Sequence, residues 1–261
     1  MTFLEKLSAR STAVGHLCIG LDPRVENHNN SLPEVEDYLS QLIEETAPFA
    51  AAFKPNSAYF ESLGSEGVAL LERTVARIPS DIPIVLDVKR SDIGETQRRY
   101  AIACFEHLRA DAVTLNPFMG YDSLEPFLDY PGGKGLYLLA LTSNKGSADF
   151  QRLSLDDEPL YQRVANFATR AASENRPSSV GLVLGLTNAG PEVLQRIPDI
   201  PLLIPGLGAQ GGDLANLANS KRQAPNLINV SRGITYPQDQ QSPATLAESY
   251  QAQIRESLGK P

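Results

Sequence analysis

The sequence predicts a (β/α)8 barrel, on three observations. Short apolar runs that read as buried parallel strands recur eight times along 261 residues, separated by helical patterns. The length suits one such barrel, so residues 1–261 are expected to form a single barrel domain. Polar and special residues gather where the apolar runs stop, and in this fold the carboxyl ends of the strands carry the chemistry.

The first strand is expected at His16–Asp22 (HLCIGLD) and the second at Ala51–Asn56 (AAFKPN). Pro83–Lys89 (PIVLDVK), Ala112–Pro117 (AVTLNP) and Gly135–Ser143 (GLYLLALTS) follow. The last three are Val180–Leu186 (VGLVLGL), Pro201–Gly208 (PLLIPGLG) and Leu227–Gly233 (LINVSRG). Amphipathic patterns predict helices over Glu34–Phe49, Ser57–Ile78, Ser91–Arg109 and Leu160–Glu174. A final helix is expected at Pro243–Leu258, whose opening proline suits a helix start. An open doubly wound sheet would place a glycine-rich dinucleotide turn after the first strand. The turn here reads GLDPRVENH and has no G-x-G-x-x-G.

A net charge of −8 argues against a nucleic-acid partner, which needs a broad basic surface, but not against one small phosphorylated ligand. No apolar run approaches the roughly 20 residues of a membrane-spanning helix. The N-terminus MTFLEKLSARSTAVG lacks a signal-peptide pattern, so a cytoplasmic enzyme is expected. Cys18 and Cys104 sit among apolar neighbours and read as buried free thiols. His16, His28 and His107 are scattered, without acid or cysteine partners at metal spacing. Neither a metal nor a cofactor is expected.

The segment Leu86–Thr96 reads LDVKRSDIGET. Strand alternation points Asp87 and Lys89 to one face, about 7 Å apart at the backbone. Asp92 follows in the turn that opens the next helix. Taken singly, Asp87–Lys89 reads equally as an ion pair, and Asp92 with Glu95 fits a capping box. Three charges at one strand end are harder to explain by structure alone, because burying them is costly. An amine held between two carboxylates stays protonated, so Lys89 reads as a fixed cation and proton donor rather than a Schiff-base nucleophile. Such a site stabilises developing negative charge and then protonates it.

Other strand ends carry Asp22, Lys54, Asn116, Ser143, Gln210 and Arg232. Phosphate sites in these barrels commonly use the loops after strands 7 and 8, here Gly206–Gly212 and Ser231–Gly233. Glycine lets backbone N–H groups approach an anion, and Arg232 adds bidentate charge. A simple tight turn is the alternative for the glycines.

The D-x-K-x-x-D pattern of Asp87, Lys89 and Asp92, with Ile93 and Thr96, resembles the signature of orotidine 5′-phosphate decarboxylases. The likeness extends to GLDPR at Gly20–Arg24, FKPN at Phe53–Asn56, LTSN at Leu141–Asn144, PGLGAQGGD at Pro205–Asp213 and SRGI at Ser231–Ile234. The long KRSDIGET form, with NPFMGYDSLEPFL after the fourth strand, is similar to the longer bacterial subgroup.

The resemblance implies decarboxylation of orotidine 5′-monophosphate without a cofactor. Lys89 would protonate C6 of the pyrimidine, Asp87 would lie against the substrate carboxylate, and Asp92 would come from the partner subunit of a homodimer with shared active sites. Asp22 and Lys54, with Thr96 of the partner, would hold the ribose hydroxyls. Ser143 would contact the base, and Gln210 would bridge base and phosphate. Arg232 and the backbone around Gly211 and Gly233 would bind the phosphate. Gly94 departs from the proline expected there in many relatives, a change expected to alter loop stiffness more than chemistry. A related magnesium-dependent sugar-phosphate decarboxylase is the nearest alternative, but it would be expected to present a carboxylate where Lys54 stands. A Schiff-base aldolase would carry a lysine on the sixth strand, and VGLVLGL has none. A non-catalytic nucleotide-binding barrel would be expected to lose the costly charges, and all three are present.

Overall fold

The computed structural model describes residues 1–206, 214–238 and 241–258. Each of the eight apolar runs forms a strand. These are β1 Leu17–Leu21, β2 Ala52–Pro55, β3 Val85–Arg90, β4 Ala112–Leu115, β5 Gly135–Leu141, β6 Ser179–Leu184, β7 Leu202–Pro205 and β8 Asn226–Val230. They pair in parallel in chain order, and β1 also pairs with β8. Isolated bridges Phe53↔Ile84 and Asn56↔Asp87 join β2 to β3 and bring the sheet close to closure. The expected (β/α)8 barrel is the fold.

Alternation along the strands sorts the side chains into two apolar clusters. Leu17, Ile19, Phe53, Leu86, Val113, Leu136, Leu182 and Ile228 pack outward against the helices. Cys18, Ala52, Val85, Ala112, Tyr137, Val183, Leu203 and Leu227 fill the interior. Both thiols are free, and burial pushes those of Cys18 and Cys104 up to about 12.

The interior cluster also contains Phe3 and Leu7, from a helix at Phe3–Val14 that the sequence reading did not anticipate. A capping box starts this helix: Glu5 N–H donates to Thr2 Oγ1, and Thr2 N–H donates to Glu5 Oε2. Phe3 meets Tyr137 edge to face, with ring centroids 6.0 Å apart, and closes the amino-terminal end of the barrel. Two glycines make room for these rings. A Cβ at Gly135 would lie 2.2 Å from the Phe3 ring, and one at Gly181 would lie 2.4 Å from the Pro201 carbonyl oxygen and 2.8 Å from the Tyr137 ring.

The last helix, Pro243–Leu258, keeps its expected limits, those expected at Glu34–Phe49 and Leu160–Glu174 shift to Leu32–Thr46 and Leu160–Ser173, and two others depart further. The segment expected as one helix over Ser57–Ile78 is two, Ser57–Glu61 and Gly64–Arg77, broken where Gly64 takes φ 71°. The helix expected over Ser91–Arg109 begins only at Gly94 and ends in a wide π-helical turn, Ala103–His107. Among the described residues no helix is long and apolar enough to cross a membrane.

Because Gly181 faces a backbone oxygen that cannot swing aside, Gly181→Ala is expected to destabilise the fold by about 2 kcal/mol through overpacking. Urea unfolding monitored by circular dichroism measures this as a lower midpoint at unchanged slope.

Candidate functional site

Above the apolar floor the interior turns polar. Two residues on from Ala52, Val85 and Ala112, the same inward parity carries Lys54, Asp87 and Thr114, all buried. Asp87 accepts three hydrogen bonds. Lys54 Nζ donates to Oδ2 at 3.0 Å, while Lys89 Nζ at 2.6 Å and Thr114 Oγ1 at 2.8 Å donate to Oδ1. Burial alone would push this carboxyl up, but the ammonium groups of Lys54 and Lys89 outweigh it and hold it well below the usual carboxylate range. The Lys54 side chain is only 6% exposed. Burial would lower its pKa, yet Asp87 and then Asp22 reverse the effect and raise it above lysine's ordinary value. Both groups stay charged at neutral pH.

The sequence reading placed an amine between two carboxylates. Within one chain the order is the reverse: the Asp87 carboxylate lies between two amines.

Lys89 reaches Asp87 through a bulge, not through plain alternation. Strand β3 pairs with β4 at Leu86↔Val113 and next at Arg90↔Leu115, so four steps on β3 match two on β4. Lys89 takes φ 44°, in the left-handed region that residues with a Cβ seldom occupy. Its side chain is 50% exposed, so the two amines on Asp87 differ sharply in their contact with solvent.

Asp92 stands apart from this pair. Its Oδ1 accepts from Ile93 N–H at 2.8 Å, and no ion pair among the described residues joins it to Lys89. The capping box expected with Glu95 does not form. Ile93 is the cap residue and makes no side-chain cap, and Glu95 pairs with Arg99 at 2.8 Å. The reason lies at Gly94, whose φ of 50° puts the chain's bend between Asp92 and the helix. Proline, fixed near −65°, cannot take that conformation, so the departure at Gly94 sets the path of the backbone. Thr96 is exposed on the helix that follows.

Asp22 ends β1 beside the turn after β8. Its Oδ2 accepts from Ser231 Oγ at 2.6 Å, while Oδ1 is buried and unpaired among the described residues. The close approach depends on Gly20, where a Cβ would stand 2.7 Å from that of Ser231. Arg232 opens the short helix Arg232–Thr235 and is exposed, with no ion pair among the described residues. Tyr236 ties this turn to the turn after β1 by accepting the Arg24 N–H at 2.9 Å. Gly233 has a packing reason of its own, since a Cβ there would lie 2.4 Å from the Tyr250 hydroxyl.

Ser143 follows β5, and Gly185 permits its approach: a Cβ at 185 would meet Ser143 N at 2.6 Å. Asn188 holds the same loop, donating to the Thr142 carbonyl at 2.8 Å and lying 3.2 Å from Ser147 Oγ. Gln210 and Gly211, expected at the phosphate, lie outside the described residues. Sequence reasoning missed Thr114 and Asn188, and gave Ser231 only as the start of an expected phosphate loop. For Thr114 the signal was available, because it stands two residues beyond an inward alanine on a strand already identified. Among the described residues, no group of three or more His, Cys, Asp or Glu is placed to hold a metal ion.

An eight-stranded parallel barrel with amines and carboxylates interleaved at its carboxyl ends defines a barrel enzyme whose chemistry turns on fixed charge. A family profile, Orotidine 5′-phosphate decarboxylase / HUMPS family, matches residues 15–246. The orotidine 5′-phosphate decarboxylase of Herpetosiphon aurantiacus is 43% identical over 243 residues, spanning 90% of this chain and 89% of its own. That of Cupriavidus metallidurans is 41% identical over 275 residues, spanning 100% and 98%. The structure of Leishmania donovani OMP decarboxylase matches with a TM-score of 0.87 at 38% identity, covering 99% of both chains. The chain belongs to the orotidine 5′-phosphate decarboxylase / HUMPS family.

Asp87→Asn leaves Lys54 buried without its nearest counter-charge and is expected to cost about 3 kcal/mol of stability at pH 7. The native Asp87 pKa is depressed, so its stabilising effect is complete above the unfolded carboxylate value of about 3.9 and fades as pH falls through the lower native value. Denaturant titrations of both proteins are therefore expected to differ by a constant amount from about pH 5 to pH 8, and to converge only in stronger acid.

Proposed function

We infer that the protein is an orotidine 5′-phosphate decarboxylase (EC 4.1.1.23), converting orotidine 5′-monophosphate to uridine 5′-monophosphate and carbon dioxide in pyrimidine biosynthesis. The observation that carries the reading is the Lys54–Asp87–Lys89 array at the strand ends of a chain with full-length relatives of that name. Breaking the bond between C6 and the carboxylate leaves an electron pair on a ring carbon with no ordinary electron sink. Lys89 offers a fixed ammonium, worth roughly 4 kcal/mol of attraction at 4 Å and an effective dielectric near 20. The same group then transfers a proton to C6. Because its side chain is half exposed, solvent restores that proton after each turnover.

Asp87 supplies the second role. Held ionised by two amines, it repels the substrate carboxylate if that group lies against it, and the repulsion ends when carbon dioxide departs. Asp22, whose buried Oδ1 is unpaired among the described residues, and Lys54 suit the ribose hydroxyls. Ser143 suits the polar edge of the base, and Arg232, exposed on the turn after β8, suits the phosphate. Binding energy from the phosphate, far from the reacting carbon, holds the base in register. Against the magnesium-dependent alternative, the second strand ends in a buried ammonium already paired with Asp87, and a divalent cation there would be repelled.

The site is proposed to be completed in a homodimer. No ion pair or hydrogen bond among the described residues joins Asp92 to its own Lys89, and it lies in a turn whose Ile93 is 57% exposed. On the adjoining turn after β4, Phe118 is 76% exposed. Large apolar side chains exposed beside a carboxylate without an ion pair among the described residues suit a twofold contact that delivers Asp92 to the neighbouring site.

Chelator-treated protein given orotidine 5′-monophosphate is expected to bleach the orotate absorbance at full rate. Loss of activity in chelator and its recovery with magnesium would move the reaction to the sugar-phosphate branch. Mixing inactive Lys89→Ala and Asp92→Ala subunits is expected to restore about a quarter of wild-type activity, since half of the randomly formed dimers carry one intact shared site. If subunits exchange and no activity returns, Asp92 does not serve the partner's site.

A further inference from the structure

We propose that Thr114 is a positioning residue, whose hydroxyl fixes the Asp87 carboxylate and the Lys89 backbone to one another across the bulge in β3. The proposal rests on the decarboxylase reading and adds a residue to its machinery.

A threonine hydroxyl has one proton to donate and lone pairs to accept with. Thr114 uses both functions on neighbouring parts of one strand. It donates to Asp87 Oδ1 at 2.8 Å, the oxygen that also takes the Lys89 ammonium, and it accepts the Lys89 N–H at 3.0 Å. The second bond has a specific cause. The β3–β4 ladder lapses between Leu86 and Arg90, so the N–H of Lys89 has no regular strand partner and takes a side chain instead. The ladder is taken up again where Asn116 N–H donates to the Arg90 carbonyl at 3.0 Å.

Lys89 also occupies the left-handed region, a conformation that persists only where the surroundings enforce it. Thr114 supplies that enforcement from the facing strand. Its side chain is shielded from solvent on a strand buried along its whole length, so bulk water is poorly placed to substitute for the hydroxyl. One oxygen thus sets the carboxylate that faces the departing group and the backbone that carries the proton donor. Because Thr114 acts through Asp87 and Lys89, it governs turnover and not the hold on ribose and phosphate.

The test compares kcat and KM for orotidine 5′-monophosphate in the unsubstituted protein and in Thr114→Val, Thr114→Ala and Thr114→Ser. Valine keeps the shape and loses the hydroxyl, alanine loses it without risk of crowding, and serine keeps it. Thr114→Val and Thr114→Ala are expected to lower kcat about 10- to 100-fold, the size of one hydrogen bond to a charged group. KM is expected to stay within about threefold, and Thr114→Ser to keep kcat within about threefold of the unsubstituted protein. Wild-type kcat in either hydroxyl-free variant overturns the proposal. So does a serine variant as slow as valine, which would assign the effect to the methyl group, or a change confined to KM. An unsubstituted protein that fails to release carbon dioxide overturns the decarboxylase reading itself, an outcome distinct from any difference among the variants.

Discussion

Everything at the mouth of the barrel is arranged around one carboxylate that two amines share. Asp87 inside a barrel would be neutral if it stood alone, and Lys54 would shed its proton for the same reason. Each keeps the other ionised, and together they put fixed charge at the end of an otherwise apolar cylinder. Lys89 then joins a carboxylate that is already anionic, so its ammonium is held by an existing charge. The order of dependence runs from the interior outward: the buried pair makes the site polar, and the half-exposed amine uses that polarity. Removing either member of the buried pair therefore affects fold and chemistry together, while Lys89 and Arg232 can be changed with little effect on the core.

The same arrangement explains why the backbone is irregular at this one place. A regular strand would carry Lys89 along the ladder with β4. The bulge and the left-handed φ bring its ammonium to Asp87, and residues in sparse backbone regions concentrate where surrounding contacts override local preference. Asp87 and Thr114 are those contacts. Local strain of this kind is stabilised by the buried first four residues of β3, Val85 to Val88, and by β4, which is buried along its whole length.

Much of this was legible in the sequence because a barrel strand has a period of two. Short apolar runs marked all eight strands, and the period of two put Asp87 in the last inward layer. It failed where a local feature breaks the period. Alternation paired Asp87 with Lys89 correctly but by the wrong path, since nothing in DVKRSD announces a bulge. The capping box at Asp92 and Glu95 matched in spacing and failed in geometry, because Gly94 turns the chain between them. A continuous helical pattern hid the break at Gly64 for a similar reason. The amino-terminal helix went unread because its buried positions, Phe3, Leu7 and Ser11, are few and spaced a full turn apart. Its partners lie in strands as far along the chain as Leu227, which no local window connects.

That helix seals the amino-terminal end of an interior already filled by side chains. With Phe3 and Leu7 wedged among the inward residues of the strands, one end of the cylinder is corked. The charged array is therefore reached from the carboxyl-terminal mouth, and the far end of the cylinder serves stability alone.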